Sequence, residues 1–230
     1  GDMRSALNKL ELVFNVGIDI GNNCVNVTLD DVINSSSIKM LNYDRGGDDG
    51  YSILSAFHKS LRGSDADAAI HYLARLIKAG DLQSITRRLL CVASEDVGLA
   101  VPQAITITEA CVSAALQLGL PEARIPLAQA TVYLAQCPKS NSVANAIDMA
   151  LYDLDNIETG DIPLHLKDAH YASAKKLGRG VDYLYPHDFE NHYVKQQYLP
   201  DAIKNNKYYI HGKNKNESAF KNYWDVIKNK

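Results

Sequence analysis

The 230-residue sequence contains no apolar run that approaches the roughly 18 residues needed to cross a bilayer. It also lacks a charged-then-apolar leader followed by a small-residue cleavage site, so no feature of it predicts export. Hydrophobic residues make up 46% and charged residues 22% of the chain, as in globular proteins that bury a full core. We therefore expect a cytoplasmic protein without membrane contact.

Cysteine is scarce, and none of its spacings is that of a CxxC pair. The four residues lie far apart, mostly in apolar stretches with helical periodicity: Cys24, Cys91, Cys111 and Cys137. A free thiol in such a stretch behaves as a small hydrophobic group. This usage excludes a disulfide scaffold and favours a reducing compartment.

Short motifs of nucleotide binding and nucleophilic catalysis are also missing. The single Gly-Lys pair, Gly212-Lys213, is followed by Asn214 and lacks the glycine five residues earlier that GxxxxGK[ST] requires. No GxSxG elbow occurs. We therefore predict that the chain by itself is not an enzyme and binds no cofactor.

Histidines and carboxylates lie close together in the sequence at His187, Asp188, Glu190 and His192. The segment has no clear helical pattern and no cysteine that could complete a metal site. We therefore predict no metal ion here, and interpret these histidines as hydrogen-bonded structural residues.

Residues 51–157 have a helical pattern almost throughout. Apolar residues recur three and four apart, and Ser, Asp, Gly and Pro residues separate one stretch from the next. The pattern predicts six helices, at about 51–61, 66–79, 82–94, 102–118, 122–135 and 142–155. Antiparallel neighbours joined by such short connections form an all-α array.

The first 50 residues differ in character from the rest. The spacing of Leu7, Leu10 and Phe14 predicts an amphipathic helix that already includes the first residues. Because the sequence begins within a helix, we expect it to be a fragment of a longer protein. Residues 15–50 are rich in loop-forming residues, and residues 25–27 are typical of a short strand. A Gly/Asp run at 44–50 marks the predicted boundary between a segment 1–50 and a domain 51–230.

The first two predicted helices of that domain, at 51–80, carry more apolar surface than one short helical hairpin can bury. We therefore predict that four of their side chains form an oligomer interface: Phe57, Leu61, Leu73 and Leu76.

The C-terminal part of the chain is basic and aromatic. Residues 161–230 carry 12 Lys and Arg against 8 Asp and Glu, although the whole chain has a formal net charge of -3, and they hold 11 of the 18 aromatic residues. Prolines interrupt this part, and only about 168–177 and 215–228 have a helical pattern. We predict an irregular, tyrosine-rich tail, 160–230, that wraps over the helical array.

A basic, aromatic-rich surface can bind nucleic acid, although such residues also occur on solvated helix ends. The predicted phosphate contacts are Arg87, Arg88, Lys175, Lys176 and Arg179. No feature among them selects a base, so any binding should be independent of DNA sequence. The nearby acidic pair Glu95-Asp96 could perform acid/base chemistry, but a contact to Arg87 or Arg88 is the preferred interpretation.

Six stretches of the chain carry family motifs. The opening GDMRSALNKLE (1–11) is similar to GDxRxxLNxLE, and SAFHKSLRGSDADAAIHYLARLIKAG (55–80) to S-x-HKS-RGSDxDAAxYWLARM, with His71-Tyr72 in place of the more usual Tyr-Trp. The other four are RRLLCVASEDVGLAVPQA (87–104), LAQATVYLAQCPKSN (127–141), PLHLKDA (163–169) and YPHDF (185–189). In this order they resemble the RarA/MgsA family of AAA+ ATPases, the replication-associated recombination proteins A.

The resemblance implies that residues 1–50 are the end of an AAA+ lid, with Arg4 as the sensor 2 arginine that would reach the γ-phosphate of ATP in the full-length protein. It implies that residues 51–230 resemble a clamp-loader collar and assemble a homotetramer. For the full-length protein it further implies ATP and Mg²⁺, action on single-stranded or forked DNA, association with single-stranded-DNA-binding protein, and a place at the nucleoid.

Two functions of different classes stay open on these observations. One is oligomerisation of a replication-fork maintenance ATPase and its presentation to DNA or partners. The other is a sequence-independent DNA-binding module in the basic tail. A free-standing enzyme is disfavoured, because the sequence has no P-loop.

Overall fold

The structure of the chain, a computed structural model, describes residues 10, 14, 18–21, 24–29, 48–169 and 178–229. The predictions for Arg4, Lys175 and Lys176 lie outside these residues, as does most of the helix expected at 168–177.

Two short strands form an antiparallel hairpin near the N-terminus. Strand β1 spans Ile18–Gly21 and β2 spans Cys24–Asn26, with Ile18 opposite Asn26. The short strand expected at 25–27 is therefore present with a shift of one residue, and its partner strand was not predicted.

The remaining regular structure of the described residues is helical and mostly α-helical, which confirms the all-α prediction. Seven α-helices follow in chain order: α1 Asp48–Arg62, α2 Ala66–Lys78, α3 Leu82–Val92, α4 Ala104–Leu118, α5 Arg124–Gln136, α6 Ser142–Asn156 and α7 Lys215–Lys228. None of them is long and apolar enough to span a membrane.

Side-chain caps explain where α2 and α3 begin. The Asp65 carboxylate accepts a hydrogen bond from the backbone N–H of Ala68 at 2.9 Å, and that of Asp81 accepts one from Ser84 at 3.3 Å. Each carboxylate satisfies a first-turn N–H that has no partner within its helix. The caps hold the turns between α1, α2 and α3 short, so these helices pack as neighbours.

The hydrophobic core lies between α1, α2, α3, α4 and α5. Phe57, Leu61 and Leu76 have no exposed surface and Leu73 has 2%, because α5 packs across both α1 and α2. The prediction that these four residues form an oligomer interface is therefore wrong. The amphipathic stripes of α1 and α2 are covered by the chain's own fifth helix.

The end of α3 changes its helical type before the chain turns. A π-helical turn, Ala93–Val97, follows the helix and leads into a 3-10 turn, Gly98–Ala100. Gly98 has a φ of +46°, and a Cβ there would lie 2.9 Å from the backbone oxygen of Ser140. The Ser140 N–H donates to the Asp96 backbone oxygen at 2.7 Å. This close approach brings the π turn against the start of α6.

The tail residues that the structure describes have little regular structure before α7. Within its described part, short 3-10 turns occur at Leu164–Leu166, Pro186–Asp188, Glu190–His192 and Asp201–Ile203. Helix α7 then returns to the array, where the Asn216 side chain donates to the Ala100 backbone oxygen at 2.8 Å.

Candidate functional site

Five charged or titratable side chains meet where α1 crosses the end of α3. His58 and Arg62 lie one turn apart on α1, Arg88 lies on α3, and Glu95 and Asp96 lie on the π-helical turn. His58 and Asp96 are buried, whereas the side chains of Arg62 and Glu95 are 49% and 42% exposed. We call these five residues the charged cluster.

The His58 ring connects two oppositely charged residues. Its Nε2 lies 2.8 Å from Asp96 Oδ2, and its Nδ1 lies 2.8 Å from Arg88 Nη1. A guanidinium can only donate, so Nδ1 accepts from Arg88, and a neutral ring then carries its proton on Nε2 and donates to Asp96. The Nη2 of Arg62 lies 2.9 Å from the same Nε2, so a second guanidinium also approaches the Asp96 side of the ring.

Arg62 is the counter-ion of both carboxylates. Its Nε donates to Asp96 and its Nη2 donates to Glu95 Oε1 at 2.7 Å. The hydrogen bond to Asp96 raises the pKa of Arg62 above its ordinary value. The acidic pair therefore does contact an arginine, but the partner is Arg62 on α1. The expected contact to Arg87 or Arg88 is not the one that forms.

Three atoms of the cluster have the spacing of metal ligands. His58, Glu95 and Asp96 each offer an atom within 4.8 Å of the others. The Arg62 guanidinium already lies among them, with Nη2 only 2.9 Å from His58 Nε2. The chemistry of the group is therefore that of an ion-pair cluster in which a guanidinium provides the positive charge.

Cys91 adjoins the cluster but is not an activated thiol. Its Sγ donates to Glu95 Oε2 at 3.1 Å. Burial, together with the hydrogen bond and negative charge of Glu95, raises the pKa of the Cys91 thiol above 9.0. The thiol thus stays protonated near neutral pH, which argues against a nucleophilic role.

Lys139 lies on the other side of the cluster and holds the end of α5 in place. Its Nζ donates to the backbone oxygens of Leu134, Ala135 and Cys137 at 2.6–3.1 Å, and to Ser64 Oγ at 3.0 Å. It therefore caps the C-terminus of α5 and ties it to the α1–α2 turn. Burial lowers the pKa of Lys139 from its ordinary 10.5.

Two shallow cavities lie on either side of Arg62. One, of about 420 Å³, runs between Arg62, the acidic pair, Lys139 and the start of α6. The other, of about 350 Å³, lies between α1 and α3 and is lined by Tyr51, Leu54, Ser55, His58, Lys59, Arg62 and Arg88. We call the second cavity the α1–α3 cleft.

A second polar centre attaches α7 to the start of α6. Glu217 is fully buried, and its carboxylate accepts hydrogen bonds from Ser140 Oγ (2.6 Å), Ser142 Oγ (2.5 Å), Tyr209 Oη (2.9 Å), the Gly212 N–H (3.0 Å) and the Asn214 side chain. Burial alone would raise the pKa of Glu217, but these hydrogen bonds outweigh it and lower the pKa to about 2.

Sequence reasoning missed Glu217. The available signal was the spacing Asn214-x-x-Glu217, which is that of an N-cap and its third helical residue; the Asn214 side chain accepts from the Glu217 N–H at 3.0 Å. Burial and the hydrogen bond to Glu217 raise the pKa of Tyr209 to about 12.

Three of the predicted DNA contacts lie among the described residues: Arg87, Arg88 and Arg179. Arg87 is exposed, whereas its neighbour Arg88 is half-buried and belongs to the charged cluster. Arg179 is half-buried in the tail. Of these three, Arg88 is the one that lines the α1–α3 cleft.

The charged cluster and its surroundings draw on three stretches with family motifs. His58 and Arg62 come from 55–80, Arg88 and the acidic pair from 87–104, and Lys139 from 127–141. Residues far apart in sequence therefore meet at one place.

Comparison with known proteins agrees with this pattern. Residues 63–228 match the family described as MgsA AAA+ ATPase C terminal, and residues 1–62 match an AAA C-terminal domain. Replication-associated recombination protein A of Bacillus subtilis is 51% identical over 228 residues, which cover 99% of this chain and 54% of that protein. The Escherichia coli K12 protein of the same name is 38% identical over 213 residues, 91% of this chain and 47% of that protein.

A eukaryotic relative is also similar. ATPase WRNIP1 of Dictyostelium discoideum is 40% identical over 169 residues, which cover 73% of this chain and 19% of that protein. The chain spans about half the length of the bacterial relatives named above. It belongs to the MgsA AAA+ ATPase C-terminal family.

Proposed function

We propose that this chain is the assembly region of a longer AAA+ ATPase that acts in replication-associated recombination, and that it joins four copies of that ATPase. ATP and Mg²⁺ would be bound by the rest of the protein. Within this chain only Arg4 is expected near the nucleotide, and no described residue forms a phosphate-cradling loop. In this proposal the full-length protein is stimulated by DNA, works at forks and contacts single-stranded-DNA-binding protein.

The observation that carries the proposal is the apolar surface of α6. Val143, Ile147, Leu151 and Leu154 are 41%, 55%, 52% and 65% exposed. Their spacing of four, four and three residues aligns them along one side of the helix, as in helices that pair with another helix. Ser142 is the one buried residue of α6. We call this row the α6 stripe.

A second copy of the chain is the occupant that the α6 stripe fits. The stripe extends over about 16 Å of helix, and two copies can pair through it about a two-fold axis. A further exposed apolar group surrounds the α4–α5 turn, at Leu116, Leu118 and Ile125. A tetramer of dihedral symmetry needs two different self-complementary surfaces, and these are two candidates.

The test is the mass of the chain in solution after a charge is placed on the stripe. We expect Ile147→Glu to lower the mass measured by light scattering below that of four chains, because two glutamates would face each other across the interface. Tyr152→Glu is the matched control, since Tyr152 is 66% exposed on the same helix but about 140° away from Ile147.

Either of two results would contradict this use of α6. An unchanged mass for Ile147→Glu would place the interface elsewhere, and an equal loss for Tyr152→Glu would show a general effect of added charge.

DNA binding is the second candidate function. The support for it is the excess of 12 Lys and Arg over 8 Asp and Glu in residues 161–230, where Lys175, Lys176 and Arg179 remain predicted contacts. Steep salt dependence of binding to single strands, lost on changing these three residues, would favour it.

A further inference from the structure

We propose that the α1–α3 cleft binds a backbone phosphate of single-stranded DNA, with Tyr51 stacking on the adjacent base. This inference rests on the DNA-binding part of the proposed function and assigns it to a place other than the tail. The residues that carry it are Tyr51, Ser55, Lys59 and Arg88.

Three positively charged side chains line the cleft, and two of them, Lys59 and Arg88, form no ion pair with a described carboxylate. Arg88 is half-buried, and its recorded hydrogen bond goes to the neutral His58 ring, 2.8 Å away. Lys59 is exposed, and neither it nor Arg88 has an ion-pair partner among the described residues. Arg62, by contrast, is neutralised by Glu95 and Asp96. The cleft therefore favours an anion.

Arg88 is held in position before a ligand arrives. Asp96 accepts from His58 Nε2, and His58 Nδ1 in turn accepts from Arg88 Nη1. These two hydrogen bonds orient the guanidinium, and no other hydrogen bond of the Arg88 side chain forms within the part of the chain that the structure describes. A planar guanidinium fixed in this way matches two phosphate oxygens at once.

The face of α1 on the cleft suits a strand rather than an isolated phosphate ion. Tyr51, Ser55 and Lys59 are four residues apart and follow one side of the helix for about 12 Å. Tyr51 is 69% exposed at the end of this row. A ring that stacks on bases beside a track of hydroxyl and ammonium groups is the usual arrangement for binding single strands.

The cleft has few side chains that select a base. Among the described residues its lining holds no Asn, Gln, Asp or Glu, and the proposal assigns its arginine and lysine to phosphate. Its volume of about 350 Å³ is at the lower end for ligand pockets, which limits it to a part of one nucleotide at a time. Binding should therefore depend on phosphate and stacking and be independent of sequence.

The experiment measures binding of the 230-residue chain to a fluorescein-labelled oligothymidylate by anisotropy, over a series of salt concentrations. We expect Arg88→Gln to weaken binding about tenfold, the effect of one charge-assisted contact. The slope of log K against log salt should fall by about 0.7, as for one lost phosphate contact to a single strand. Arg87→Gln is the matched comparison, because it removes the same charge from the adjacent, exposed residue of α3. Arg87 is also a predicted phosphate contact but does not line the cleft, so the cleft proposal expects a smaller loss for this variant than for Arg88→Gln.

Further variants separate the parts of the site. Lys59→Gln should weaken binding in the same way as Arg88→Gln, and because Lys59 is exposed this variant tests the cleft even if Arg88→Gln does not fold. Tyr51→Ala should weaken binding of oligothymidylate but not of an abasic strand of equal length, and Tyr51→Phe should keep the wild-type affinity. Inorganic phosphate at matched ionic strength should compete only weakly.

Several outcomes overturn the proposal. Equal losses for Arg87→Gln and Arg88→Gln would show general electrostatic attraction, and wild-type affinity for both Arg88→Gln and Lys59→Gln would move DNA binding to the tail. If the wild-type chain does not bind oligothymidylate, DNA binding by the cleft and DNA binding by the tail are both contradicted. The assembly proposal is judged separately, by the mass of the same samples in light scattering.

Discussion

Glu95 and Asp96 are adjacent carboxylates that share the Arg62 guanidinium, yet they differ in burial. The Asp96 side chain is 6% exposed and also accepts from His58, whereas that of Glu95 is 42% exposed. Removing a partner from a buried pair leaves an uncompensated group, while an exposed pair is screened by water. The two positions therefore allow a matched comparison within one cluster.

We expect Asp96→Asn to lower the free energy of unfolding by about 2–3 kcal/mol, less than for a fully buried pair because Arg62 is half-exposed. Glu95→Gln should cost less than about 1 kcal/mol. Urea unfolding of both variants at one protein concentration measures the difference. Equal losses for the two would contradict the view that Asp96 is the centre of the cluster.

Glu217 is a single residue that makes the free energy of unfolding depend on pH. Its pKa is about 2 in the folded chain against an ordinary value of 4.5. Because folding lowers this pKa, the carboxylate stabilises the fold fully above about pH 5, and that contribution is lost as the pH falls from about 4.5 towards 2. Five hydrogen-bond donors hold the carboxylate, so its neutral amide analogue fits poorly.

We therefore expect Glu217→Gln to lower the free energy of unfolding at pH 7 by about 2–3 kcal/mol. The difference in stability from the wild type should narrow as the pH falls below about 4.5, since Glu217 of the unfolded wild-type chain then takes up a proton that the folded chain does not bind until about pH 2. Asp225→Asn on the same helix is the control, because Asp225 forms an exposed pair with Lys221. A gap that does not change with pH would argue against the ionised state of Glu217.

At the scale of elements, the junction between the π turn and α6 depends on one glycine. A side chain at Gly98 meets both a positive φ of +46° and the Ser140 backbone oxygen at 2.9 Å. Gly119 also has a positive φ, +69°, but a Cβ there has no atom within 4 Å. A comparison of alanine variants at Gly98 and Gly119 therefore separates the free-energy cost of the backbone conformation from that of the steric clash with Ser140.

We expect Gly98→Ala to destabilise the chain by about 2–4 kcal/mol, and Gly119→Ala by about 1 kcal/mol. Thermal or urea unfolding of the two variants gives both values. Similar losses at the two sites would mean that the approach of α6 to the π turn is looser than the structure shows.

The helices were predictable, because burial of one face imposes a 3.6-residue period that the sequence displays. The last turn of α3 was not, since its change to a π turn depends on contacts with Ser140 more than 40 positions away. Helix α5 begins at Arg124, two residues later than expected, because residues 120–123 form a turn first.

The four residues predicted for an oligomer interface are core residues for a related reason. An apolar stripe indicates that a surface is covered, but periodicity does not tell whether the same chain or another covers it. The stripes of α1 and α2 are covered by α5, while the stripe of α6 is left exposed. The pairing of Arg62 with Asp96, like that of Ser140 with Glu217, spans more residues than local pattern reasoning can reach.

At the scale of the whole molecule, the charged cluster lies at the boundary between the two regions that match known families. The match to the AAA C-terminal domain ends at residue 62, and the match to the MgsA C-terminal family begins at residue 63. His58 and Arg62 lie before that point, and their partners Arg88, Glu95 and Asp96 lie after it. The charged cluster therefore connects the two family regions through α1.

The measurement that tests the central claim most directly is the absolute mass of this chain by light scattering across a dilution series. The account predicts a mass near four chains that persists on dilution, because the α6 stripe and the surface around the α4–α5 turn each pair with another copy. A mass of one chain at all concentrations would contradict it. Assembly by this chain would then be excluded, and DNA binding would become its leading proposed function.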